Sequence, residues 1–416
     1  MRKGALPLAL ALASSAAWAD AGLLPERRRP QFTNDPGYAV VPYLYNLPGL
    51  GWGYGVLGAA TNVGGSYADV AGTLFFGDAD GQAVSVDQVH LVPRRLMLDA
   101  GLAHLSRATL KSWFKRGMGS GKGDFSLAEF GDVAFAGTRL TATADERRFE
   151  AFAGWYAGMA TLRALRDSGG ATILSAAGAA RYRASTWVGG LRADMTDDFI
   201  DPRRGLRLEP SLWRSPRRGS GPDYYYTDWS ATAYLPLGRR STWAFNALRS
   251  DAHVLAPGVT DPAALARDQG LDCASVPDAA RRAQCDDYVS TLAAENANGT
   301  ATMLGGFRRL RSYSEGRFKG AHAEFVGSEV RWNLTDEAKP FDIYIMKDIR
   351  TAVQVAFFYE AGTAADTRGE LWKEWRSSAG AGVRIVTASG LVYRVDLAGG
   401  SEGWQPSVFF QYPWEL

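Results

Sequence analysis

The chain has 416 residues, with 46 Lys and Arg against 44 Asp and Glu and a formal net charge of +2. A balance this close implies neither nucleic acid nor a strongly acidic partner. Glycine is abundant, 47 residues of 416 or about 11% against a usual value of about 7%, and aromatic residues make up 12%.

In chain order, Arg2 and Lys3 precede the apolar run Ala5–Ala13, and Ala17-Trp18-Ala19 forms a small-x-small cleavage site before Asp20. This is the grammar of a secretory signal peptide over residues 1–19; the run falls short of the roughly 18 residues that a spanning helix needs. Removing it leaves 397 residues (416 minus 19), enough for more than one domain on length alone. Residues 20–35 read as a short flexible periplasmic tail. Its basic stretch Glu26-Arg27-Arg28-Arg29-Pro30 suits anionic lipid or an acidic periplasmic partner, with simple solvation the favoured reading. No later segment is apolar and long enough for a membrane helix. An exported, glycine- and aromatic-rich chain of this kind fits an outer-membrane β-barrel over 36–416, and a soluble β-rich protein is the competitor.

Period-two alternation recurs along the barrel segment. Trp187, Gly189, Leu191, Ala193 and Met195 share one parity and Arg192 and Asp194 the other. Leu206, Leu208, Pro210 and Leu212 alternate with Arg207, Glu209 and Ser211. Thr227, Trp229, Ala231, Ala233, Leu235 and Leu237 oppose Tyr226, Asp228, Ser230 and Thr232. Val326, Val330, Trp332 and Leu334 oppose Glu329, Arg331 and Asn333; Val353, Val355, Phe357 and Tyr359 oppose Gln354 and Glu360; Val408, Phe410, Tyr412 and Trp414 oppose Gln411. Such strands fit a barrel with lipid outside and a polar lumen, although alternation alone does not say which face is inside. Turns fall at 46–50, 64–67, 78–81, 144–147, 197–205, 215–223, 238–241, 335–340, 363–374, 387–390 and 399–405, with longer irregular stretches at 107–125, 162–183 and 256–300. The reading is an all-β antiparallel barrel of about sixteen strands, the first near Tyr38–Tyr45 and the last at Ser407–Trp414.

The segment 111–125 holds Gly117-Met118-Gly119-Ser120-Gly121-Lys122-Gly123. A phosphate loop would need glycine at Arg116 and Ser or Thr after Lys122, and a nucleophile elbow would need glycine at Met118. Lys111–Arg116, with Trp113 and Phe114, suits either the inner membrane–water boundary or an ordinary basic turn. In 256–300, Asp261–Arg267 and Pro277–Ala294 look helical. Cys273 and Cys285 lie twelve apart in this insert, and an oxidising compartment favours a disulfide. The four histidines are scattered, so no metal is expected. Strand counting sets the insert between the tenth and eleventh strands, on the periplasmic side; a slip of one would make it a surface loop.

Residues 304–320 read Leu-Gly-Gly-Phe-Arg-Arg-Leu-Arg-Ser-Tyr-Ser-Glu-Gly-Arg-Phe-Lys-Gly. Arginine can be buried only where carboxylates or carbonyls receive its five donors, so this loop calls for an inward-facing acid elsewhere. Gly305-Gly306-Phe307-Arg308-Arg309-Leu310-Arg311-Ser312-Tyr313, then Phe358-Tyr359-Glu360-Ala361-Gly362, Gly380-Ala381-Gly382-Val383-Arg384, and the earlier corner Asp201-Pro202-Arg203-Arg204-Gly205 stand in an order that resembles the bacterial surface antigen superfamily, the BamA/TamA-like outer-membrane assembly barrels.

The resemblance is best from Trp187 onward. It implies that the sixth extracellular loop folds into the lumen, with Gly305, Gly306, Arg311, Tyr313, Gly316 and Phe318 as the latch. Arg311 would meet Glu360 on a wall that also carries Phe358, Gly362, Gly382, Arg384 and Glu329. Ser312 stands where the family has glycine, which would require a non-positive φ there or some strain. Family members carry periplasmic POTRA domains, whereas only Asp20–Asn34 precedes the first strand here. No enzyme and no cofactor are expected. The resemblance implies assistance in inserting or translocating nascent outer-membrane or exported proteins, or lipids, at the outer membrane. The alternative is a gated pore or secretion channel with the sixth loop as plug.

Overall fold

The computed structural model describes residues 31–32, 36–49, 51–176, 181–335, 341–343, 346–349, 351–387 and 392–414. The expected signal peptide and most of the expected tail lie outside the described residues. Sixteen consecutive strands close into one antiparallel barrel. They are β1 (Gly37–Leu47), β2 (Gly51–Thr61), β3 (Asp69–Gly77), β4 (Ala79–Val92), β5 (Leu96–Trp113) and β6 (Phe125–Ala144). Next come β7 (Phe149–Arg166), β8 (Arg181–Asp194), β9 (Gly205–Ser215), β10 (Asp223–Pro236) and β11 (Ser241–Ala256). The circuit ends with β12 (His322–Asn333), β13 (Thr351–Ala365), β14 (Arg376–Thr387), β15 (Val392–Gly400) and β16 (Gly403–Phe410), which returns to β1. A short ribbon, Thr172–Ser175, adds to the end of β7, and a separate hairpin pairs Phe341–Ile343 with Met346–Ile349. Two helices, α1 (Pro262–Gln269) and α2 (Ala279–Asn298), lie between β11 and β12.

Burial decides which face is inside. Trp187, Leu191, Trp229, Val326, Trp332, Phe357 and Tyr359 are exposed, whereas Arg192, Asp194, Asp228, Glu329, Arg331 and Glu360 are buried. The charged parity therefore points inward and the apolar parity forms an outer belt, as a lipid-embedded barrel requires. Toward the terminal rim the first strands still turn Asp69, Ser85 and Asp87 inward, but at mid-height their inward groups are small or apolar. Val41, Leu57, Thr73 and Ala83 stand in register on the inner face of β1 to β4. Beside them Tyr43 and Tyr45 lie over Gly55 and Gly53, where an added Cβ would stand 2.7 and 2.2 Å from the rings. Glycine here gives aromatic rings room against the wall, so this part of the lumen is lined by small and apolar groups.

Three further expectations change. First, the insert lies between β11 and β12, on the rim opposite the chain ends, in the same loop as 304–320. The strand count ran one short because the β4–β5 turn Pro93-Arg94-Arg95 has no glycine; Arg94 itself takes the positive φ, 58°. Second, Tyr412 and Trp414 do not continue the lipid-facing parity of β16. The chain turns at Gln411 (φ 104°), and both rings are buried inside the barrel. Third, Trp113 is buried at the far rim and does not mark an inner boundary. At the terminal rim, the last part of the expected flexible tail packs: Phe32 is buried edge-on to Tyr67 and His90.

The closure between β1 and β16 is the weakest joint. β1 pairs with β2 along eleven residues, and β15 with β16 along eight. β1 and β16 share one register pair, Asn46 with Val408. Asn46 Nδ2 donates to Pro406 O at 2.6 Å, and Tyr43 meets Phe410 edge-on at 5.4 Å. Pro42 and Pro406 stand in these two strands, and proline withholds an N–H from the ladder.

Candidate functional site

Residues 301–320 leave the insert and descend into the lumen. Leu304 and Phe318 close the base of the loop with two backbone hydrogen bonds of 2.9 Å. Gly305 and Gly306 take φ of 104° and 103°, a region that side chains rarely enter. A Cβ on Gly306 would strike the Glu315 carboxylate. Gly316 also turns with positive φ, beside Met303. Phe318 is fully buried against Tyr313, ring centroids 4.9 Å apart. Ser312, where the resemblance led to an expected glycine, keeps an ordinary φ; the left-handed residue is Leu310, at 53°. Ser312 packs onto Gly400, where an added Cβ would come within 2.2 Å of its hydroxyl.

This geometry delivers Arg311 to a fully buried cluster of acids. Its Nε donates to Glu360 Oε1 at 2.9 Å and its backbone N–H to Glu360 Oε2 at 3.0 Å. Nη1 reaches Asp396 at 2.8 Å and Nη2 reaches Glu329 at 3.1 Å. The guanidinium lies 3.4 Å from the centroid of Phe358. Burial acts to lower the pKa of Arg311, but Glu360, Asp396 and Glu329 outweigh it and hold the group above the usual arginine range. Around them, Arg384 forks onto Glu329 at 2.8 and 2.6 Å, Arg331 donates to Glu329 at 2.8 Å, and Arg394 donates to Asp396 at 2.6 Å. Gly382 leaves the space that the Asp396 carboxylate occupies, and Gly362 the space against Leu304 and Leu310.

Arg311, Phe358, Glu360, Glu329 and Arg384 thus meet in one place, with Gly362 and Gly382 beside them, while Gly305, Gly306, Gly316, Tyr313 and Phe318 shape the loop that carries Arg311 there. Cys273 and Cys285 lie elsewhere, joined as a disulfide with Cα atoms 5.6 Å apart. Sequence reasoning missed three components. Asp396 and Arg394 share a parity of β15 and were legible as an inward acid–base pair. Trp414 was not: its Nε1 donates to Glu360 Oε1 at 3.0 Å, and Tyr412 OH donates to Asp201 at 2.8 Å, inside the inward-folded β8–β9 turn. The third is the glycine-rich stretch 117–123. Ser120 receives Arg317 through both its hydroxyl and its carbonyl, the latter at 2.8 Å, while Glu402 takes Arg317 Nε at 2.9 Å. Arg317 also lies 4.1 Å over Trp113. The run that looked like a phosphate cradle holds a guanidinium.

Further contacts pin the loop around the far rim. Glu315 N–H donates to Pro48 O at 2.7 Å, Gly117 N–H to Lys319 O at 2.7 Å, and Arg116 binds Asp366 and the Gly299 carbonyl. No group of His, Cys, Asp and Glu among the described residues could hold a metal ion.

No protein-family model and no curated protein matches this chain. Solved structures do. CdiB from Escherichia coli aligns with a TM-score of 0.50 at 12% identity, covering 92% of this chain and 68% of that one. BamA from Haemophilus ducreyi lacking POTRA domains 1–3 gives 0.48 at 12%, covering 96% and 77%. The likeness is one of fold: a closed, sixteen-strand antiparallel barrel of the outer-membrane kind.

Proposed function

We propose that this barrel assists the insertion or translocation of proteins or lipids at the outer membrane, by parting the seam between β1 and β16. The seam geometry carries the reading, since one register pair joins strands that pair with their other neighbours along eight and eleven residues. An edge strand with unpaired N–H and C=O groups is a template for another strand. On the β1 side of the seam the inner wall is small or apolar at mid-height, whereas β15 and β16 turn Arg394, Asp396 and Ser407 inward. The far rim is tied across by the 301–320 loop, so the wall supplies the less obstructed route.

The test is a disulfide across the joint, Asn46→Cys with Val408→Cys, in proteoliposomes presented with an unfolded test barrel. Oxidation should abolish assisted insertion and reduction should restore it. Insertion that is indifferent to the cross-link, with ion conductance rising in Arg311→Ala, would replace this reading with a gated channel plugged by the sixth loop.

A further inference from the structure

A groove of about 1050 Å³ runs obliquely over the outer wall from β1 to β8. At the β1 end, Val40, Val56, Leu74 and Val84 stand around Gly58 and Gly72. These two glycines face each other across β2 and β3, with nothing nearer than 3.9 Å to an added Cβ. At its other end the lining changes to Arg183, Ser185 and Arg218.

The level of those arginines follows from the strands. Trp155 and Trp187 pair across β7 and β8 on the outer face, 6.3 Å apart, and such aromatics sit at the membrane–water boundary. Arg183 is four residues further toward the far rim, about 13 Å along an extended strand. That is headgroup depth, where an outward arginine costs far less than it does at the bilayer centre.

Charge at this edge is one-sided. The acids nearby already have partners: Asp132 with Arg163, Glu129 with Arg166, and Asp223 with Arg214. Arg181 and Arg183 are exposed and have no ion pair or hydrogen bond among the described residues. Arg218 donates Nε to Ser185 at 3.0 Å, which holds the side chain down over the strand, and its two terminal nitrogens have no partner among the described residues. Planar guanidinium forks match phosphate oxygens two at a time.

We propose that Arg183 and Arg218 bind the phosphate of an outer-leaflet lipid whose acyl chains lie in the groove below, with Arg181 as auxiliary. The site is separate from the seam and the latch, and it would fix a phosphorylated amphiphile on the wall opposite the latch acids.

Native mass spectrometry of the full chain, released from detergent micelles, tests this with diphosphoryl lipid A, phosphatidylethanolamine and inorganic phosphate as probes. Diphosphoryl lipid A should be retained in preference to phosphatidylethanolamine, and inorganic phosphate should not be retained. Arg183→Ala with Arg218→Ala should lower lipid A retention at least tenfold, Arg183→Lys with Arg218→Lys should keep most of it, and Arg107→Ala, at a paired rim arginine, should change nothing. Heat-modifiable gel migration confirms that each variant is folded. Should the double alanine variant not fold, Arg183→Glu alone is decisive, because that side chain is exposed and unpaired. Equal retention in folded Arg183→Glu or in the double alanine variant overturns the site, as does equal retention of phosphatidylethanolamine.

Discussion

Arg311 satisfies three carboxylates with one planar group, and each carboxylate is fully buried. An arrangement of this kind adds little net stability over an apolar core, yet removing one partner strands the others, at about 3–5 kcal/mol. Arg311→Ala should therefore lower the unfolding free energy by that amount, read from urea titration of the barrel in micelles. Arg311→Lys should recover only part of it, since an ammonium is a point charge and cannot repeat the fork. Arg317→Ala should cost less, because Glu402 keeps some exposure and can rehydrate. An Arg311→Ala barrel within about 0.5 kcal/mol of the native protein, the range of ordinary surface changes, would refute the buried-cluster account. The Arg311–Glu360 contact was legible through the resemblance of the loop and strand motifs to a known barrel family, and the inward parity of Glu360 agreed with it. Trp414 was not, since its parity along β16 pointed to lipid and only the turn at Gln411 brings it inside.

At the scale of elements, the α1–α2 insert is a small folded cap. Asp261 caps α1 by accepting from Ala263 and Ala264 N–H, and Gly270 closes it in the left-handed region; Asp278 caps α2 through the Arg281 N–H. Leu265, Leu271, Val276, Tyr288 and Val289 pack with Leu162 and Leu165 of β7 and with Ile173. The disulfide closes a loop of twelve residues, for which chain entropy gives a constraint near 3 kcal/mol. Its effect should stay local, because the barrel strands do not depend on it. Cys273→Ser with Cys285→Ser should raise amide exchange across 262–298 and leave β12 to β14 protected; exchange rising throughout the barrel would show that the cap supports the wall. Both helices were readable from runs rich in Ala, Arg and Asp, and the cysteine pair from two cysteines in one loop of an exported chain. Their side of the barrel was not, because it depends on the parity of the strand count, and a glycine-free turn at Pro93–Arg95 hides one strand.

Across the whole molecule, the two structural peculiarities meet. The seam strand β16 continues through Gln411 into a tail whose Tyr412 binds Asp201 and Gln354, and whose Trp414 binds the same Glu360 that receives Arg311. Phe409 of β16 lies 3.9 Å from Phe307 of the latch loop. The joint with the fewest ladder bonds is thus held from inside the lumen, by contacts to the latch acid and to the inward turn at the terminal rim. Opening the seam outward would pull on this tail, and releasing the tail should loosen the seam. Truncation after Phe410 should raise amide exchange in β1 and β16 severalfold, with little change in β6 and β7, whose partners are untouched. Trp414→Phe isolates one link, keeping the ring and deleting the N–H to Glu360, at about 1–2 kcal/mol; its exchange increase should be smaller and of the same pattern. Unchanged β1 protection in the truncated chain would separate the tail from the seam and leave the latch as a local brace of β12 to β15. An increase confined to β1, β16 and 304–320 would join loop, tail and seam in one cooperative unit.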